Sequence, residues 1–205
     1  MKILFVHGLG ATRFDFFQTA RHLKKMGHDV RYFSYLASLH SLEQIRLRLH
    51  EDLTAMAAAG DYAVVGHSLG GVLLRDALLK MPIGVLQPKH LFLVGSPMAA
   101  TKINTYLSRF WIYQLLAGQC GRLVASEPAM AAIGMPNVAT TCIVGSKGWN
   151  GKYSPFGDQP NDGIVLEAEL QTEKYTDVVR IHARHPVLPM RSGLWQVIHG
   201  RLTQA

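Results

Sequence analysis

The chain has 205 residues, 48% hydrophobic and 17% charged, with 21 Lys+Arg against 14 Asp+Glu and a formal net charge of +7. This balance excludes intrinsic disorder, and the length suits one domain, 1–205, with a sizeable core. Two cysteines, Cys120 and Cys142, outside any CxxC spacing, exclude a disulfide framework and a thiolate metal site; basic residues scattered without a Lys/Arg run argue against a nucleic-acid partner.

Short apolar runs alternate with longer helical patterns, the sign of βαβ units and a parallel sheet. Ile3–His7 reads as the first strand. Its apolar part is shorter than the ~7 residues an export signal needs, and no stretch approaches the ~18 apolar residues of a membrane span. A soluble, cytoplasmic chain is the expectation. Phe14–Met26 is a helix with Phe16, Ala20 and Leu23 on one face, closed by Gly27. Asp29–Tyr35 is the second strand. Ser41 and Gln44 form a capping-box pattern ahead of a helix whose face is Ile45, Leu49, Leu53 and Met56. Tyr62–Val65 is strand three and Leu69–Lys80 the helix after it. His90–Val94, Val138–Val144 and Asp177–His182 are strands four to six, and Leu194–Leu202 closes the chain as an amphipathic helix.

Two segments fit no simple unit. Residues 97–137 contain Tyr106, Phe110, Trp111 and Tyr113, and 146–163 are rich in Gly, Pro, Asn and Asp. Connections this long inside a domain tend to be functional. We read 97–137 as a lid-like helical insertion, with Tyr106, Phe110 and Trp111 contacting substrate. The apolar stripe over 101–117 also suggests transient contact with a membrane surface.

Gly66-His67-Ser68-Leu69-Gly70-Gly71 is the most informative stretch. An apolar strand runs into it and an amphipathic helix runs out. A serine on such a turn projects its oxygen away from the backbone, and Gly66 and Gly70 remove the Cβ atoms that would collide with neighbouring chain. The following helix offers free N–H groups and a positive dipole end to a developing negative charge. No Gly-Lys-Ser/Thr follows, which excludes a phosphate loop.

Val65-Gly66-His67-Ser68-Leu69-Gly70-Gly71 resembles the nucleophile elbow of the α/β-hydrolase family, especially its lipase and esterase branch, and Val6-His7-Gly8-Leu9-Gly10 resembles that branch's oxyanion loop. The resemblance implies a doubly wound, mostly parallel six-stranded sheet ordered 2-1-3-4-5-6 with helices on both faces. That core is reduced, because the oxyanion strand starts at Lys2. It implies that the backbone N–H groups of Leu9 and Leu69 bind an oxyanion. In that order strands one and three are neighbours, and the loops after them meet where such sheets bind ligands. The family order, nucleophile then acid then histidine, points to Asp162 in Asn161-Asp162-Gly163-Ile164-Val165, which resembles an N-D-G-[VIL]-V pattern of bacterial lipases, with Asp158 the alternative. It points to His185 in Arg184-His185-Pro186, with His182 the alternative. Gly95-Ser96-Pro97 departs from the Gly-Thr-Pro of many lipases, and Ser96 reads as structural. The implied activity is cleavage of a carboxylic ester with an apolar acyl group through an acyl-enzyme, on a small-molecule or lipid substrate, with no metal or cofactor. Acyl transfer and thioester cleavage on the same triad, and a non-catalytic binding protein on a hydrolase fold, remain open at this point.

Overall fold

The computed structural model of the chain describes residues 1–170 and 172–204. Six strands form one all-parallel sheet: β1 (Lys2–Val6), β2 (Asp29–Phe33), β3 (Tyr62–His67), β4 (His90–Val94), β5 (Thr140–Gly145) and β6 (Asp177–Ile181). Their order is β2-β1-β3-β4-β5-β6. Eight helices connect or flank them: α1 (Phe17–Lys25), α2 (Leu42–Ala58), α3 (Leu69–Leu79), α4 (Lys102–Leu107), α5 (Trp111–Ala125), α6 (Glu127–Ala131), α7 (Glu167–Leu170) and α8 (Ser192–Thr203). The expected topology is therefore present, and every strand pair is parallel rather than most of them.

Strand alternation decides which helix covers which face. Leu4, Val6, Val64, Leu91 and Leu93 point to one side and pack with α2, α3 and the buried half of α5 through Leu49, Leu53, Leu73 and Leu123. Ile3, Phe5, Val65, Phe92 and Val94 point to the other and pack with α1 and α8 through Leu23, Leu194 and Ile198. Strands covered on both faces read as continuous apolar runs, as β3 and β4 do: every residue of both is buried. Edge strand β6 instead alternates half-buried and exposed residues.

Local differences from the sequence reading have local causes. The helix expected from Phe14 begins as a 3-10 turn over Arg13–Phe16, capped by the Thr12 side chain, before α1 starts. The Ser41–Gln44 capping box forms as expected. Strand five starts two residues late, because the Val138 N–H bonds back to the Pro136 carbonyl in a turn. Residues 97–137 fold into α4, α5 and α6, with α5 kinked at Gly118 (φ 53°), where a Cβ would lie 2.3 Å from the Ala37 carbonyl oxygen. No helix of the described residues is long and apolar enough to cross a membrane.

Candidate active site

The carboxyl ends of β1 and β3 lie side by side, Val6 paired with Gly66. The chain leaves β1 toward β2 on one side and passes to β3 on the other, so a crevice opens between the loops that follow them. Ser68 stands at that point. Its φ of 51° and ψ of −122° make it the one non-glycine residue of positive φ among the described residues. Two close approaches impose this turn. A Cβ on Gly66 would lie 2.4 Å from the Gly71 Cα, and one on Gly70 would lie 2.2 Å from the Val6 carbonyl oxygen. The Ser68 N–H is tied to the Val94 carbonyl at 2.9 Å. Ser96, completely buried, fills the space beside Gly71, where a Cβ would meet its hydroxyl at 2.4 Å; its position is a packing one.

The histidine and aspartate singled out beside Ser68 come together across 23 residues of chain. His185 Nδ1 lies 2.6 Å from Asp162 Oδ2, both side chains buried. Asp162 Oδ1 accepts the backbone N–H groups of Ile164 at 3.0 Å and Val165 at 2.8 Å. The His185 N–H donates to the Asp162 carbonyl at 2.9 Å. Glycines again make the room: a Cβ on Gly95 at the end of β4 would stand 3.1 Å from His185 Nδ1, and one on Gly145 at the end of β5 would stand 2.8 Å from the Asp162 Cβ. The alternatives lie elsewhere. His182 and Asp158 are exposed and neither lines the cavity that holds Ser68.

That cavity, about 460 Å³, is bordered by Gly8, Leu9, Ser68, Leu69 and His185 and walled on its apolar side by Ile103, Leu107, Val124, Ile164 and Val165. Its volume is in the range of small-molecule sites. Leu69 opens α3, so its N–H is among the helical donors that lack an intrahelical acceptor. The Ser68 hydroxyl, half-buried, has no hydrogen-bond partner among the described residues.

Three expected substrate contacts require correction. Tyr106, Phe110 and Trp111 do not line this cavity; they face outward, Trp111 being 72% exposed. The helical period explains it. Ile103, Asn104 and Leu107 line the cavity from α4, which centres its inward face about 100° round the helix from Tyr106, and on α5 it is Tyr113 that faces in. Spacing along 103–107 does not by itself exclude Tyr106, because the side of α4 that meets the cavity is set by how the helix docks.

Two further side chains have roles the sequence did not disclose. His67 is fully buried, its Nε2 donating to the His185 carbonyl at 3.1 Å, and burial and the neighbouring His185 hold its pKa well below that of an ordinary histidine. Asn161 braces the turn that carries Asp162: its Oδ1 accepts from the Trp149 and Gly163 N–H groups, and its Nδ2 donates to the Gln159 carbonyl. The Asn in Asn-Asp-Gly was a readable hint for the second; a contact across 118 residues gave none for the first.

No protein-family model matches the chain, and no curated protein matches it in sequence. Solved structures do match in fold. A mature lipase of Bacillus licheniformis is 18% identical with a TM-score of 0.72, over 98% of this chain and 91% of that one. A methylesterase from Arabidopsis is 13% identical with a TM-score of 0.66, over 100% of both chains. A thioesterase of the prodiginine biosynthetic pathway of Streptomyces coelicolor is 16% identical with a TM-score of 0.63, over 100% of this chain and 90% of that one. The chain has the α/β-hydrolase fold.

Proposed function

We propose that the chain is a serine hydrolase that cleaves carboxylic esters with an apolar acyl group. The observation that carries the reading is the buried 2.6 Å pair of Asp162 Oδ2 and His185 Nδ1, of which His185 borders the cavity into which the strained Ser68 turn opens. A serine hydroxyl needs a base at neutral pH. With the proton of His185 held on Nδ1 by Asp162, Nε2 is free to accept one. In the proposed cycle the Ser68 oxygen adds to the acyl carbonyl and its proton passes to His185 Nε2. The carbonyl electrons gather on an oxygen held by the Leu9 and Leu69 N–H groups. Collapse expels the alcohol, which takes the proton from His185. Water activated by the same nitrogen then releases the acid.

The apolar wall of Ile103, Leu107, Val124 and Ile164 supports an apolar acyl group. Thioester cleavage uses the same acyl-enzyme, and the likeness to thioesterases in fold keeps it as the second reading. The outward face of Tyr106, Phe110, Trp111 and Leu115, in a segment bearing Lys102, Arg109 and Arg122 and no acidic residue from 101 to 126, supports transient contact with anionic lipid during substrate uptake.

The test is a fluorophosphonate probe with a panel of p-nitrophenyl esters and acyl thioesters, applied to wild type and Ser68→Ala. Wild type is expected to be labelled and Ser68→Ala not, with turnover lowered by roughly a thousandfold or more while the fold persists. Equal labelling of a folded Ser68→Ala protein refutes the assignment. Preference for thioesters over esters of the same acyl chain selects the second reading.

A further inference from the structure

The loop that carries Leu9 is itself held by a side chain to which the cycle above gives no part. His7 follows β1 directly and is buried. The backbone N–H of Tyr35 donates to His7 Nε2 at 3.3 Å, and His7 Nδ1 lies 2.9 Å from the Gly8 carbonyl oxygen. A ring nitrogen that accepts carries no proton in neutral imidazole, so this network assigns the proton to Nδ1, which donates it to Gly8. Burial lowers the His7 pKa and favours that neutral form. Tyr35 holds His7 twice more. Its hydroxyl donates to the His7 carbonyl at 3.0 Å, and the two rings stack with centroids 4.4 Å apart and planes 6° from parallel.

The consequence lies one atom further along the chain. The Gly8 carbonyl and the Leu9 N–H belong to the same peptide plane, and in a trans peptide they point in opposite directions. A carbonyl drawn toward the His7 ring, and also bonded by the Ala11 N–H at 3.3 Å, turns the Leu9 N–H the other way. That N–H has no backbone acceptor among the described residues, and Leu9 borders the cavity beside Ser68. Gly8 passes so close to the nucleophile that a Cβ on it would stand 3.1 Å from the Ser68 Cβ. Glycine is also the residue whose flanking peptides rotate most freely, so this plane needs an external hold.

We infer that His7 is a positioning residue of the oxyanion hole: its Nδ1–H fixes the Gly8–Leu9 peptide so that the Leu9 N–H is aimed before substrate arrives, and Tyr35 locks the tautomer that makes this possible. The inference rests on the reading of Ser68 as nucleophile. It assigns His7 no contact with substrate and no proton transfer. Donors that are preoriented act on the transition state without a reorganisation cost, so the effect falls on kcat and not on KM.

Two substitutions separate the two ring nitrogens. The amide nitrogen of asparagine can stand where Nδ1 stands, so His7→Asn keeps the donor to Gly8 and gives up the acceptor for Tyr35. The amide oxygen of glutamine can stand where Nε2 stands, so His7→Gln keeps that acceptor and gives up the donor. Each variant loses one buried bond, and thermal unfolding checks that their stabilities are comparable. On p-nitrophenyl butyrate, His7→Gln is expected to lower kcat by roughly 10²–10³-fold, the cost of one misplaced oxyanion donor, with KM unchanged. His7→Asn should retain most of the wild-type kcat. A trifluoromethyl ketone, which presents an oxyanion when bound, should lose affinity for the glutamine variant by a similar factor. Equal losses of kcat in the two variants, or a glutamine effect confined to KM, overturn the inference. Should neither fold, the tautomer is read directly in the wild type by imidazole ¹⁵N NMR: a His7 proton on Nε2 and none on Nδ1 overturns the inference. Fluorophosphonate labelling separates the two levels. An unlabelled wild type defeats the serine-hydrolase reading and this inference with it, whereas a labelled wild type with an unimpaired His7→Gln defeats the inference alone.

Discussion

Asp162 divides its two oxygens between two tasks, and Asp162→Asn exploits the division. Oδ1 accepts two backbone N–H groups, from Ile164 and Val165, while Oδ2 faces His185 Nδ1. An asparagine would keep its carbonyl oxygen on the Oδ1 side. The flipped amide would aim its NH₂ at two backbone donors and strand both, at about 1–3 kcal/mol for each buried unsatisfied group. The amide nitrogen therefore falls opposite His185 Nδ1. An amide nitrogen only donates, so Nδ1 must accept and the imidazole proton moves to Nε2, the atom that has to receive the Ser68 proton. Turnover should drop by roughly 10⁴-fold, the loss seen when a triad imidazole is held in the wrong tautomer, equivalent to about 5.4 kcal/mol of barrier. KM should stay near the wild-type value, because Asp162 does not border the cavity that holds Ser68. The melting temperature should also hold, since both backbone bonds persist, whereas Asp162→Ala should lower it as well as abolish turnover. Steady-state kinetics on p-nitrophenyl butyrate, alongside thermal unfolding of the three proteins, make the comparison. A folded Asp162→Asn protein turning over within tenfold of wild type would refute the tautomer argument and the role of Asp162.

Two more outcomes follow from the cavity and from the buried histidines. Leu107→Ala should weaken preference for longer acyl chains, by about 0.8 kcal/mol for each substrate CH₂ that loses its contact, while Trp111→Ala, on the outward face, should leave chain-length preference unchanged; the reverse pattern in an ester series would show that the wall is misassigned. His7 and His67 have folded-state pKa values below the ordinary 6.5, in each case chiefly through burial. Between those values and 6.5 the unfolded chain binds more protons than the folded one. Their contribution to stability is therefore complete above pH 6.5 and falls as the solution is acidified, at no more than about 1.4 kcal/mol per pH unit for each group. Urea unfolding at pH 7.0 and 5.5 should give the lower midpoint at 5.5, and a midpoint independent of pH over that interval would contradict the buried neutral histidines.

The framework was legible because its signals are local. A βαβ alternation requires only apolar period and punctuation, and β3, buried throughout, reads as the uninterrupted Tyr62–Val65 run before its glycine. The Ser68 turn was legible for the same reason: Gly66 and Gly70 stand within two residues of the serine they make room for. Asp162 and His185 were reached through order and resemblance, not through any physical signal linking positions 23 apart. What escaped was long-range or rotational. The bond from His67 to the His185 carbonyl and that from Tyr35 to His7 join segments whose proximity only the folded sheet creates. Tyr106, Phe110 and Trp111 failed differently: apolar mass was legible, but the side of the helix that would meet the cavity depended on the angle at which α4 and the kinked α5 dock.

The backbone at Ser68 also bears on how this molecule trades durability against chemistry. A residue with a Cβ held at φ 51° and ψ −122° lies outside the wells open to L-amino acids, and such positions carry on the order of 1–3 kcal/mol of strain. Against the 5–15 kcal/mol that holds a typical domain together, the loss at one residue is appreciable. Replacing Ser68 with glycine, which meets no Cβ penalty there, should therefore give a protein that melts higher than wild type and does nothing. Selection for stability alone would favour glycine at this position, so the strain at Ser68 sets stability against the chemistry proposed for its hydroxyl.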